Sequence, residues 1–154
     1  MAQTLNGLTR TSPASDPNVN EGQTFALTAT KSFAGGGAVN AHDVKAEYST
    51  DDANWNTITG VSALSHGSTN PLLNETDTTQ ESWTITANTA GTYYVRVVGD
   101  PNGGDNSYTV ASTSQQVTVS STTKTASGTP SIPQPTSDGA ASRSAAAAPI
   151  TAWR

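Results

Sequence analysis

The sequence predicts an all-β sandwich of about seven strands, followed by an extended C-terminal arm. Three observations carry the sandwich. From Ala90 to Val98 the chain alternates with a period of two: Tyr93, Val95 and Val97 point one way, and Thr92, Tyr94, Arg96 and Val98 the other. Alternation of aromatic and β-branched residues marks a strand with one face in a core. The composition agrees: 33 % of residues are apolar and 12 % charged, with Thr, Ser, Asn and Gly making up much of the rest. That mix suits short strands joined by polar turns. Comparable segments recur through residues 1–120 at the spacing of a sandwich.

In chain order, a weak strand is predicted around Leu5 to Thr11, punctuated by Ser12-Pro13 and Asp16-Pro17, as proline does at strand edges and turns. Val19 to Gly22 reads as a turn. Gln23 to Lys31 alternates, with Phe25, Leu27 and Ala29 on one face and Thr24, Ala26, Thr28 and Thr30 on the other. Ser32 to His42 reads as a loop around Gly35-Gly36-Gly37. Asp43 to Ser49 sets Val44, Ala46 and Tyr48 against Lys45, Glu47 and Ser49. Thr50 to Asn54 is a turn, and Trp55 to Thr59 a short returning strand. Residues 60–80 scatter Val61, Leu64, Leu72 and Leu73 among small polar residues and Pro71, which predicts one short strand beside a long loop. A loop of that length in a compact domain is often a contact surface. Glu81 to Ala87 opposes Trp83 and Ile85 to Ser82, Thr84 and Thr86. Gly99 to Asn106 is turn-rich, and Gln115 to Ser120 forms the last strand. The predicted core is Phe25, Leu27, Val44, Trp83, Ile85, Tyr93, Val95, Val97, Val117 and Val119. Val98, apolar on the outward face, predicts partial cover there.

These segments resemble an immunoglobulin-like domain without a disulfide. The stretch Gly91-Thr92-Tyr93-Tyr94-Val95 resembles strand F, and the resemblance implies a tyrosine corner at Tyr93, two residues before the second cysteine position, here Val95. The run Gly22-x-x-Phe25-x-Leu27-x-Ala29 is similar to strand B, with Ala29 at the first cysteine position. The run from Tyr48 to Trp55 is similar to hairpins of bacterial and phage immunoglobulin-like and fibronectin-like modules. Those modules usually place a Trp in strand C itself. Here Tyr48 occupies that strand and Trp55 lies across the turn.

The chain has no cysteine, so it has neither a disulfide nor a thiolate for metal binding or catalysis. This favours folding in a reducing cytoplasm. Met1 to Leu5 shows neither the basic region nor the apolar run of a signal peptide, and no apolar run approaches the ~20 residues of a membrane span. Charge is uneven. Residues 1–120 hold four Lys and Arg against eleven Asp and Glu, net −7, whereas residues 121–154 are net +2. An acidic body disfavours nucleic acid, which demands clustered cations.

No catalytic residue and no metal ligand is assigned. The loop Asp100-Pro101-Asn102-Gly103-Gly104-Asp105-Asn106 offers oxygen ligands for calcium but lacks EF-hand spacing, and it reads as a turn. Asp51 and Asp52 read as solvated turn residues. His42 and His66 fall in predicted loops and read as surface histidines. No nucleophile elbow and no phosphate loop occurs. Trp55 and Trp83 are candidates for a sugar-binding platform, although Trp83, in phase with Ile85, reads more simply as core.

After Ser121 the character changes. Residues 122–154 hold four of the eight prolines in a Ser/Thr/Gly/Ala background, a composition that builds no core of its own. The chain looks like a head decoration or cement protein of a tailed bacteriophage. The resemblance implies a structural, non-enzymatic protein without cofactor, made in the host cytoplasm and located on the virion capsid surface. Its implied partners are the major capsid protein or other virion subunits, in multiple copies of a symmetric assembly, with no nucleic acid and no membrane. The expected partner-binding residues lie in the arm: Pro130, Ile132, Pro133, Pro135, Arg143, Ile150, Trp153 and Arg154. The alternatives are a bacterial surface or carbohydrate-binding immunoglobulin-like module, and a phage tail or fibre module.

Overall fold

Every alternating stretch forms a strand in the computed structural model, which describes residues 1–122. The described strands are β1 (Thr4–Ser12), β2 (Asn18–Asn20), β3 (Thr24–Ala34), β4 (His42–Ser49), β5 (Asn56–Thr57), β6 (Leu64–His66), β7 (Leu72–Glu75), β8 (Glu81–Ala87), β9 (Gly91–Asp100), β10 (Val110–Ala111) and β11 (Gln115–Ser120). They form two sheets. One has the order β1-β3-β8-β6. The other has the order β2-β11-β9-β4-β5, with β10 beside β9 and β7 beside β4. All pairs are antiparallel except β2 with β11. Reading β1, β3, β4, β6, β8, β9 and β11 as strands A to G gives A-B-E-D facing G-F-C, with β2 and β5 as additional edges. This is the immunoglobulin-like arrangement, and the chain is an all-β sandwich of that type without a disulfide.

The core lies between the sheets. Leu27, Val44, Trp83, Ile85, Tyr93, Val95, Val97, Val117 and Val119 are buried as predicted, and Phe25 is half-buried against them. Ala29 and Val95, at the two cysteine positions, are both fully buried in this cluster. Leu5, Leu8, Ala46, Ile58, Leu64 and Ala87 complete it. Gly99 is required by close packing: a Cβ there would lie 2.5 Å from Leu5 Cδ2 across the sandwich. The tyrosine corner is present, because the Tyr93 hydroxyl donates to the Thr89 carbonyl at 3.0 Å. Gly91 leaves room for it, since a Cβ would lie 3.1 Å from that hydroxyl.

The structure departs from the sequence expectation in the short elements. Val19 is not in a turn but in β2, which pairs with β11 after the chain crosses from one sheet to the other at Pro13–Pro17. Arg10 fastens that crossing, donating to Pro13 O, to Gln115 Oε1 (2.8 Å) and to Thr113 O (3.3 Å). Residues 60–80 contain two strands rather than one. Their polar side chains do the work of backbone. Along the open edge of β4, β5 covers Glu47 and Tyr48 while β7 reaches only Val44. Asn70 fills the gap. Its Oδ1 accepts from Ala46 N (3.0 Å), and its Nδ2 donates to Ala46 O (3.1 Å) and Ile58 O (2.8 Å). One side-chain amide thus replaces a missing peptide group in the ladder.

Candidate functional site

The outward face of the larger sheet carries the densest group of charged and aromatic side chains in the described domain. Register decides who meets whom. Glu47 on β4 lies directly opposite Arg96 on β9, and Lys45 lies two residues back along β4 on the same face. Arg96 Nε and Nη2 both donate to Glu47 Oε2, at 3.0 and 2.8 Å, and Lys45 Nζ lies 3.0 Å from Glu47 Oε1. An aromatic ring closes each end of the row. The Arg96 guanidinium lies 4.0 Å from the centre of the Trp55 ring, and Lys45 Nζ lies 4.1 Å from that of Tyr108. Cation–π contact of this kind contributes about 0.5–2 kcal/mol, depending on how far the cation is desolvated. The row is therefore Trp55, Arg96, Glu47, Lys45, Tyr108, each member held by the next.

One end of this face is roofed by residues 101–109. Asp43 and Asp100, directly opposite each other in the β4–β9 ladder, are both fully buried beneath that loop. Asp43 Oδ2 accepts from Gly104 N (2.8 Å) and its Oδ1 from Asn74 N (2.7 Å). Asp100 accepts from Asn102 N (3.1 Å) and Ser107 N (3.2 Å). Burial pushes the Asp100 carboxyl up, but hydrogen bonds from Asp105 and the loop amides outweigh it and leave it below the usual carboxylate range. Burial, together with the nearby Asp43, Asp100 and Glu47, pushes the Tyr108 phenol above its ordinary value. Val98, also under this roof, is 2 % exposed, so the expected cover of the outward face is present. The carboxylates of this loop, Asp100 and Asp105, accept from loop amides.

At the opposite end, Asp51 organises the β4–β5 turn. It accepts from Asn54 N (2.7 Å), Asn54 Nδ2 (2.6 Å), Ala53 N (3.0 Å) and Ser49 Oγ (2.8 Å). Those bonds, led by the Asn54 amide, hold its carboxyl well below the usual range. Asp52 is exposed beside it.

Both histidines correct the sequence reading, because neither is on the surface. His42 is fully buried, in edge contact with Phe33 at 5.2 Å, and its Nδ1 donates to Asn40 O (3.1 Å). It continues the inward alternation of Val44 and Ala46, a signal readable in the sequence. His66 is buried at the end of β6. Its Nδ1 accepts from Ser68 N (3.2 Å), which leaves Nε2–H to donate to Ile58 O (3.1 Å). Trp83 is core, 1 % exposed, as its alternation with Ile85 reads, and Trp55 lies against Arg96 on the outer face.

A second charged group joins the two sheets at one flank. Glu75, Asp77 and Glu81 bring carboxylate oxygens within 4.8 Å of one another. Lys31 Nζ lies 2.8 Å from Asp77 and 2.6 Å from Glu81. No pocket is present among the described residues. Pro130, Ile132, Pro133, Pro135, Arg143, Ile150, Trp153 and Arg154, the arm residues singled out from the sequence, lie outside the described residues.

No protein-family model matches the chain, and no curated protein sequence matches it. Among solved structures, domains 4 and 5 of the S-layer protein SbsC are similar at 12 % identity and TM-score 0.43, over 76 % of this chain and 53 % of that one. Domains 5–6 of the same protein give 12 % and 0.43, over 77 % and 45 %. A PKD domain of a peptidase from a Thermoplasmatales archaeon gives 16 % and 0.42, over 75 % and 95 %. The chain spans about half the length of the two S-layer structures it matches.

Proposed function

We propose that this chain is a structural, non-enzymatic module of a larger assembly, and in its finer form a decoration or cement protein on the head of a tailed bacteriophage. The observation that carries the reading is how the domain uses its reactive groups. Asp43, Asp51, Asp100 and His66 each hold backbone amides or carbonyls in place, and two of the three clustered carboxylates at the flank, Asp77 and Glu81, pair with Lys31. Such a domain is rigid and presents surface, and its task is contact. The finer reading is supported by the resemblance of the Tyr48–Trp55 run to hairpins of bacterial and phage immunoglobulin-like modules and by the composition of residues 122–154.

In this reading the arm lies on neighbouring virion subunits, the major capsid protein among them. Its 33 residues reach on the order of 110 Å when extended. Pro130, Pro133 and Pro135 stiffen the path and reduce the entropy lost on docking. Ile132, Ile150 and Trp153 serve as apolar plugs, and Arg143 and Arg154 pair with acidic groups. Neither cofactor, nucleic acid nor membrane takes part.

The test compares the full chain with a chain ending at Ser121, measuring both melting temperature and binding to phage heads that lack the protein. Binding that is lost on truncation at an unchanged melting temperature is the expected result. A full-length chain that does not bind heads overturns the phage reading. A truncation that lowers the melting temperature and leaves binding intact assigns the arm to the domain.

A further inference from the structure

The geometry points to a docking contact between two copies of this chain: we propose that the Trp55–Arg96–Lys45 face of one copy seats on the Glu75–Asp77–Glu81 flank of another. The face is net positive, with Lys45 and Arg96 against Glu47, on a domain that is otherwise strongly acidic. Arg96 retains 26 % and Lys45 18 % of its side-chain exposure. The Arg96 Nη1 group makes no hydrogen bond among the described residues, because only Nε and Nη2 reach Glu47. It remains a donor for a carboxylate.

The occupant follows from shape and charge. Small ligands bind in concave pockets. This face is the outer surface of a sheet and has no pocket, a shape that fits a protein surface. Trp, Tyr and Arg are the side chains that dominate protein interfaces. Here the ion pairs and ring contacts already fix them, so little side-chain entropy remains to be lost on docking. The partner must bring carboxylates, and the chain supplies them on its own flank. Of the three carboxylates there, Asp77 and Glu81 pair with Lys31, Glu75 makes no ion pair among the described residues, and the Asp77 side chain is 50 % exposed. Face and flank are different surfaces, so the contact is head to tail and propagates as a row or closes as a ring.

Sedimentation velocity of the full chain, from micromolar to millimolar concentration at low and high salt, tests the proposal. Association is expected at low salt and should weaken about tenfold at high salt, because salt screens the attraction between the cationic face and the carboxylates of the flank. Trp55→Ala, and separately Glu75→Gln with Asp77→Asn, should each weaken association about tenfold. Thermal melts of both variants establish that they fold, and Glu75→Gln alone serves if the double variant does not. A mixture of the two variants keeps one intact face and one intact flank, so it should form heterodimers where neither variant self-associates. A chain that stays monomeric at low salt overturns the proposal. So does association that both variants leave unchanged, or a mixture that does not restore pairing.

Discussion

Asn70 shows how much one side chain contributes when it stands in for backbone. Its amide occupies the donor and the acceptor of Ala46 together with the carbonyl of Ile58. His66 reaches the same Ile58 carbonyl from the other side. Ile58 is fully buried, and these bonds fix it against β4. Removing the amide strands the Ala46 N–H at about 1–3 kcal/mol and loses two further bonds, although Ala46 O keeps Ile58 N and Ile58 O keeps His66. Asn70→Ala is therefore expected to destabilise the domain by about 2–3 kcal/mol in urea unfolding. Asn70→Asp should do no better, because a carboxylate oxygen would face two carbonyls. A loss under about 0.5 kcal/mol would show that the edge relaxes to pair without it.

At the scale of elements, the turns and the flank are held by ionised groups, and this gives each a pH window. The folded Asp51 carboxyl lies below its ordinary value through bonds from the Asn54 amide and side chain, Ser49 and Ala53. Its contribution is present above the unfolded aspartate value of about 4 and is lost as pH falls through the folded value. Asp77 is lowered in the same sense, chiefly by its hydrogen bond from Lys31. Burial lowers Lys31, but bonds to Asp77 and Glu81 outweigh it and raise its ammonium above 10.5. That contribution is present below the unfolded lysine value and is lost as pH rises through the folded one. Melting temperature against pH should therefore fall off at both ends. Asp51→Asn should flatten the acid limb and spare the alkaline one, whereas Lys31→Met should flatten the alkaline limb and, because Asp77 loses its partner, part of the acid limb as well. Parallel curves for Asp51→Asn and the parent would assign the acid loss to other carboxylates.

At the scale of the whole molecule, stability rests on one apolar layer between two sheets. Val95 sits in its middle, fully buried on the central strand of the larger sheet and in the cluster with Ala29. An unpaired carboxylate there costs about 4–5 kcal/mol or more. That is comparable with the ~5 kcal/mol at the low end of domain stability. Val95→Asp should abolish cooperative thermal unfolding in circular dichroism, and a normal transition would remove Val95 from the core.

The long strands and their inward faces are legible in the sequence. In β3, β4, β8, β9 and β11 one face is apolar and the other polar, so a period of two fixes which side chains are buried. The sequence also marked the tyrosine corner, because Gly91 and Tyr93 act within a few residues of each other. His42 follows the same alternation, although it closes a stretch that reads as a loop around Gly35-Gly36-Gly37. Only the tertiary structure decided the rest. Asn70, His66 and Arg10 act on partners distant in sequence or through side chains that mimic backbone, and neither leaves a periodic trace. The pairing of Arg96 with Glu47, the stacking on Trp55 and the burial of Asp43 against Asp100 depend on the register of β4 against β9 and on where the following loop folds. Those are set by contacts between segments some fifty residues apart, which no local pattern records.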